Sequence, residues 1–188
     1  MLERLRRFFL LLLLWPTLLL AAEIEILDPQ MLAYEEGYAL SANFQFELNP
    51  RLEEAVNKGV TLHFVVDFEL NRPRWYWLDE KLLTKTQTYS LAYHALTRKY
   101  RLSTGGLHQS FVSMAEAVQV LSRLRYWSVI EKTDKAFRPG DAVQAALRIR
   151  LDVTQLPRPF QISALGNKDW SLASDWKTWS AVLPLESK

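Results

Sequence analysis

From Tyr38 to Leu48 the even positions read Tyr38, Leu40, Ala42, Phe44, Phe46 and Leu48, while Ala39, Ser41, Asn43, Gln45 and Glu47 fill the odd ones. Side chains alternate between the two faces of a strand, so this pattern predicts a strand with one buried and one wet face. The same pattern recurs over Thr61–Leu70 and over Ala142–Thr154, where Val143, Ala145, Leu147, Ile149, Leu151 and Val153 alternate with Gln144, Arg148, Arg150 and Asp152. Half-wet strands belong to antiparallel sheets, because a parallel sheet is covered on both faces. The chain is thereby restricted to a mainly β fold.

The intervening segments fill in the frame. Asn49-Pro50 can cap and start a short helix whose stripe is Leu52, Ala55 and Val56, with Gly59 to end it. Residues 74 to 112 read as further strands. These are an aromatic run near Trp75–Leu78, then Thr84–Ala95, Thr97–Thr104 and Leu107–Val112, the last two joined at Gly105-Gly106 as a hairpin in an antiparallel meander. Ser113 and Glu116 form a capping box for a second helix carried through Arg125 by Met114, Ala117, Val118, Leu121 and Leu124. A strand is expected over Tyr126–Lys132. Leu156-Pro157-Arg158-Pro159 is expected to be extended, because each proline restricts itself and its predecessor. The tail offers Phe160–Leu165, a Gly166-Asn167 turn and a Trp-rich segment ending near Leu183. The expectation is one antiparallel domain over residues 23–188, sandwich-like, with two short helices.

The N-terminus reads as an address. Arg4, Arg6 and Arg7 precede Phe8–Leu20, a run without charge, and Ala21-Ala22 supplies small residues for cleavage. At about 1.5 Å per residue this run spans roughly 20 Å, short of a bilayer interior of about 30 Å. A signal peptide cleaved after Ala22 is therefore expected, and the chain would be periplasmic. If uncleaved, the segment would anchor it to the inner membrane and give its membrane contact. Removing residues 1–22 takes three Arg and one Glu from the 23 basic and 21 acidic residues, leaving twenty of each. The domain is neutral, so no electrostatic footprint for nucleic acid is present. The absence of cysteine excludes disulfides, thiolate metal sites and thiol catalysis.

The candidate chemistry is sparse. His63 shares a wet face with Asp67 and Glu69, but four strand residues separate His63 from Asp67 by about 13 Å, too far to share an ion. His108 and Ser110 lie on one face at i, i+2, yet no G-x-S-x-G turn accompanies them and a hydrolase is the least favoured reading. His94 ends a strand of Tyr and Thr and reads as a surface or satisfied polar residue. Glu35-Glu36, Glu53-Glu54 and Asp79-Glu80 are adjacent pairs whose side chains diverge. No metal or cofactor site and no catalytic residue is expected, and the chain is read as leaning away from an enzyme.

The most distinctive stretch is Arg72-Pro73-Arg74-Trp75-Tyr76-Trp77. On a strand Trp75 and Trp77 share a face about 7 Å apart, able to stack on a flat ligand or sugar, with Arg72 and Arg74 able to add hydrogen bonds to a carboxylate or phosphate. The blander reading buries both indoles and leaves Tyr76 at the rim. Trp170, Trp176 and Trp179 read as a clamp closing the core, or else as one side of a groove shared with Trp75 or Trp77. Pro157–Gln161 reads as a loop rather than a polyproline ligand.

Taken together, the leader, Arg74-Trp75-Tyr76-Trp77, Tyr93–Tyr100, the helix after Ser113, Leu151-Asp152 with Leu156-Pro157-Arg158-Pro159-Phe160-Gln161, and the terminal Trp spacing resemble a proteobacterial family of exported proteins known as domain of unknown function 4390. The likeness covers most of residues 23–183. It implies no activity and no catalytic residues. Family members are often encoded near a ribosomal RNA methyltransferase and a membrane sensor kinase, which implies an envelope-signalling role. The leading expectation is a non-enzymatic module that binds an envelope or inner-membrane protein. The alternative is a glycan- or lipid-binding module using Arg72, Arg74, Trp75, Tyr76 and Trp77.

Overall fold

The computed structural model describes residues 24–74, 76, 80–165 and 167–184. The leader of residues 1–22 lies outside them. Among the described residues nine strands form two antiparallel sheets. β1 (Glu25–Tyr34), β2 (Gly37–Gln45) and β7 (Arg123–Glu131) make the first, in the order β1-β2-β7. The second holds β3 (Leu62–Arg72), β4 (Glu80–His94), β5 (Lys99–Thr104), β6 (Leu107–Phe111), β8 (Ala142–Leu151) and β9 (Lys177–Val182), in the order β6-β5-β4-β3-β8-β9. The expected meander is the β4-β5-β6 edge of this sheet.

One core lies between the sheets. Tyr38, Leu40, Ala42 and Phe44 of β2 face Leu62, Phe64, Val66, Phe68 and Leu70 of β3, the residues that the period-two pattern put inward, and all are buried. Phe68 carries the contact across: its ring meets Trp127 of β7 edge-on at 6.2 Å and Trp179 of β9 at 6.4 Å. The first sheet has only three strands, so short helices help cover the rest. α1 (Pro50–Asn57) buries Leu52, Ala55 and Val56, and Asn49 caps it by accepting from the Leu52 N–H at 3.0 Å.

Three departures from the sequence reading have physical causes. Helix α2 (Met114–Leu121) begins at its Ser113 cap as expected but stops at Leu121, four residues early. Residues from Arg123 instead join the open edge of β2, where Leu124 opposite Ala42 is as buried as it would be on the helix. Beyond Pro157 the segment is not extended: α3 (Arg158–Ala164) starts there, so three short helices are present rather than two. Pro159 sits in the first turn, where a missing N–H costs nothing, and that outweighs its bias against a helical Arg158. Strand β1 was hidden by Pro29, which falls where the register with β2 shifts between Leu27 and Gln30. Of the aromatic run, Trp75, Trp77 and Leu78 lie outside the described residues, and Tyr76 is in a turn.

Candidate functional site

The Arg-rich connection from β3 to β4 is tied down. Arg74 and Arg72 both reach the Glu80 carboxylate, at 2.7 and 3.4 Å, and the second Arg72 nitrogen donates to the Ala136 carbonyl at 3.3 Å and lies 3.9 Å from Asp141. The hydrogen bond from Arg74, aided by both charges, holds the Glu80 carboxyl below the usual carboxylate range. The Arg72 guanidinium thus fastens the connection to the loop after β7, and Arg74 ties it to the start of β4. Tyr76 is 64% exposed. The two indoles that were to complete this surface, Trp75 and Trp77, lie outside the described residues.

The outward face of the six-stranded sheet holds a second charged group. Asp67, mostly buried, accepts from Arg148 at 2.9 Å and Arg150 at 3.1 Å, and the Arg148 guanidinium lies 4.5 Å from the centre of the Trp176 ring. His63 is on the same face, half-exposed. Trp176 therefore does not join the clamp expected of the terminal tryptophans. Trp170 does, fully buried against Phe160 at 5.5 Å, and Trp179 packs on Phe68. His94 departs from the expectation of a satisfied or surface residue: its Nδ1 is buried with no hydrogen-bond partner among the described residues. His108 and Ser110 are exposed on the edge strand β6, and among the described residues no group of three or more His, Asp or Glu is placed to hold a metal ion.

A third surface was missed. On the face of the three-stranded sheet turned away from the core, two irregularities flank the middle of β2. β1 shifts register between Leu27 and Gln30, and β7 shifts against Leu40 and Ala42. At these shifts Asp28 and Tyr126 each adopt φ +48°. Aspartate tolerates that conformation, but a bulky tyrosine there is an outlier costing on the order of 1 kcal/mol. Between them opens a cavity of about 320 Å³ lined by Asp28, Gln30, Leu32, Ser41, Asn43, Arg125 and Tyr126.

Its polar groups are fixed in place. The Tyr126 N–H donates to the Ser41 hydroxyl at 3.2 Å, and Arg125 donates to the Ala42 and Leu124 carbonyls at 3.1 Å and to the Asn43 side-chain oxygen at 2.6 Å. Those acceptors are neutral, so among the described residues the Arg125 charge has no carboxylate partner. A rigid guanidinium beside a tyrosine that is 72% exposed is the side-chain chemistry of a recognition surface. Bulges re-aim side chains and cluster near functional positions, and retained strain points the same way. Two register shifts are not visible as a period, although Pro29 inside an otherwise apolar run marks one of them.

Two packed antiparallel sheets define a mainly β, sandwich-like domain. The chain belongs to the family described as domain of unknown function (DUF4390), whose model matches residues 21–180. No curated protein and no solved structure matches it.

Proposed function

We propose that this chain is an exported envelope domain that recognises another protein and turns over no substrate. The partner class is an inner-membrane or envelope protein, of which a membrane sensor kinase is one instance. The observation that carries this reading is the bulged face, where a strained Tyr126 and an Arg125 without a carboxylate partner among the described residues are held side by side around a shallow polar cavity. Export is supported by the basic, apolar and small-residue order of residues 1–22.

Cross-linking followed by pull-down from envelope fractions tests it. The wild-type chain is expected to retain a specific partner, and Tyr126→Ala and Arg125→Ala to weaken capture by about tenfold or more each, as central Tyr and Arg contacts do. Arg74→Ala, whose partner carboxylate is already within the chain, is expected to leave capture intact. Absence of any specific partner at native abundance overturns the proposal.

A companion measurement separates binding from folding. Tyr126→Gly removes the strained side chain, so the domain is expected to be more stable by about 1 kcal/mol in urea denaturation while losing the partner. A variant that binds normally would show that the strain serves no recognition.

A further inference from the structure

Four strands end the two sheets, and three of them are defended against pairing with another chain. β1 carries Pro29 and a register shift, β7 is bulged and holds Arg123, Arg125 and Glu131, and β9 opens on Lys177. Proline, bulges and charge are the usual protections of a sheet edge. β6 has none of them. Its five residues, Leu107-His108-Gln109-Ser110-Phe111, are uncharged, in regular register with β5, and all exposed except the half-buried Phe111.

The hairpin fixes which backbone groups are free. Thr104 and Leu107 flank the two-residue Gly105-Gly106 turn, whose first residue has φ +54°. Residues flanking such a turn exchange both hydrogen bonds, and pairs then alternate, so Leu107, Gln109 and Phe111 point their N–H and C=O at β5. His108 and Ser110 point theirs outward.

We propose that β6 pairs with β6 of a second copy of this chain, antiparallel about a two-fold axis through Gln109, joining two six-stranded sheets into one. In this register the outward groups of His108 meet those of Ser110 in the partner copy, and the reverse, so all four outward N–H groups find carbonyls. The side chains are self-complementary as well. Leu107, 76% exposed in the single chain, falls opposite the partner copy's Phe111 on one face. Gln109 faces its own copy, and His108 faces Ser110 on the other face. The Gly105-Gly106 turn, without side chains, meets Val112. No like charges oppose each other anywhere along the strand. This association does not depend on the envelope partner of the bulged face.

Sedimentation of the chain from residue 23 onward, the form that cleavage after Ala22 would leave, tests it. A concentration-dependent monomer–dimer equilibrium is expected. Ser110→Pro removes an outward N–H and leaves the β5 ladder whole, so it is expected to weaken association by about tenfold or more with the circular dichroism unchanged. Gln109→Lys and Gln109→Glu each place like charges across the axis, so each alone is expected to be monomeric and their mixture to form a heterodimer. The inference is overturned by a wild-type chain that stays monomeric at high concentration. It is equally overturned by a dimer that survives Ser110→Pro and Gln109→Lys, or by charge variants that fail to recombine.

Discussion

Phe68→Ala is expected to remove about 3–5 kcal/mol of stability, a large part of the roughly 5–15 kcal/mol available to a domain of this size. Phe68 is fully buried at the centre of β3, and its ring is the piece of the second sheet that reaches Trp127 of the first and Trp179 of β9 together. Truncation would leave a cavity bounded by two indoles on strands of different sheets, and neither can move inward without breaking its own ladder. The loss therefore includes both the transferred surface and the packing around an uncollapsed void. Urea denaturation should show a lower midpoint at an unchanged slope, the sign of lost stability without a changed unfolded state. Leu96→Ala, at an exposed turn, should stay within about 0.5 kcal/mol of wild type. Equal midpoints for the two variants would mean that the sheets do not pack through Phe68.

The inward residues of β2, β3 and β8 were legible in the sequence because each strand is wet on one face and dry on the other. Burial of Leu62, Phe64, Val66, Phe68 and Leu70 follows directly from that alternation. Local chemistry was legible too: Asn49 and Ser113 cap the helices that their positions announce. What failed was arbitration between competing partners. Leu124 suits a helical stripe and a strand equally well, and only the vacant edge of β2, which is far away in sequence, decides for the strand. Pro159 read as a helix breaker because its place in the first turn depends on where α3 starts.

The bulged face of the three-stranded sheet was hidden for a related reason. Arg72 and Arg74 stood out as charges next to aromatics, yet Glu80, which pairs with both, lies just downstream where no periodicity flags a contact. Arg125 was absorbed into a helix that ends before it. Its environment exists only once β7 pairs with β2 and shifts register there, so Arg125 and Tyr126 become neighbours of Asp28 and Ser41 through tertiary structure alone.

Gly37→Ala is expected to be the most damaging alanine substitution among the described glycines. Gly37 opens β2, pairs with Tyr34 on one side and Glu131 on the other, and has φ +137°, a region that is essentially glycine's alone. A Cβ built there falls 2.1 Å from the Ile130 carbonyl oxygen and 2.8 Å from the Lys132 nitrogen. Both are backbone atoms of β7 and its following turn, so no side chain can swing aside. Adding strain of about 1–3 kcal/mol to one or two displaced ladder bonds near 1 kcal/mol each gives a loss of about 3 kcal/mol or more. At about 2–4 °C per kcal/mol, melting should fall by roughly 10 °C. Gly59 is the control: its φ is +89° but a Cβ would meet nothing within 4 Å, so Gly59→Ala should cost only about 1 kcal/mol. The two variants should also differ in recognition. The β2–β7 pairing that starts at Gly37 sets the register in which Ser41 receives the Tyr126 N–H, so Gly37→Ala should weaken partner capture even below its melting temperature. Gly59→Ala, at the end of α1 and away from that pairing, should not. Equal destabilisation by both would show that β7 does not close against the start of β2.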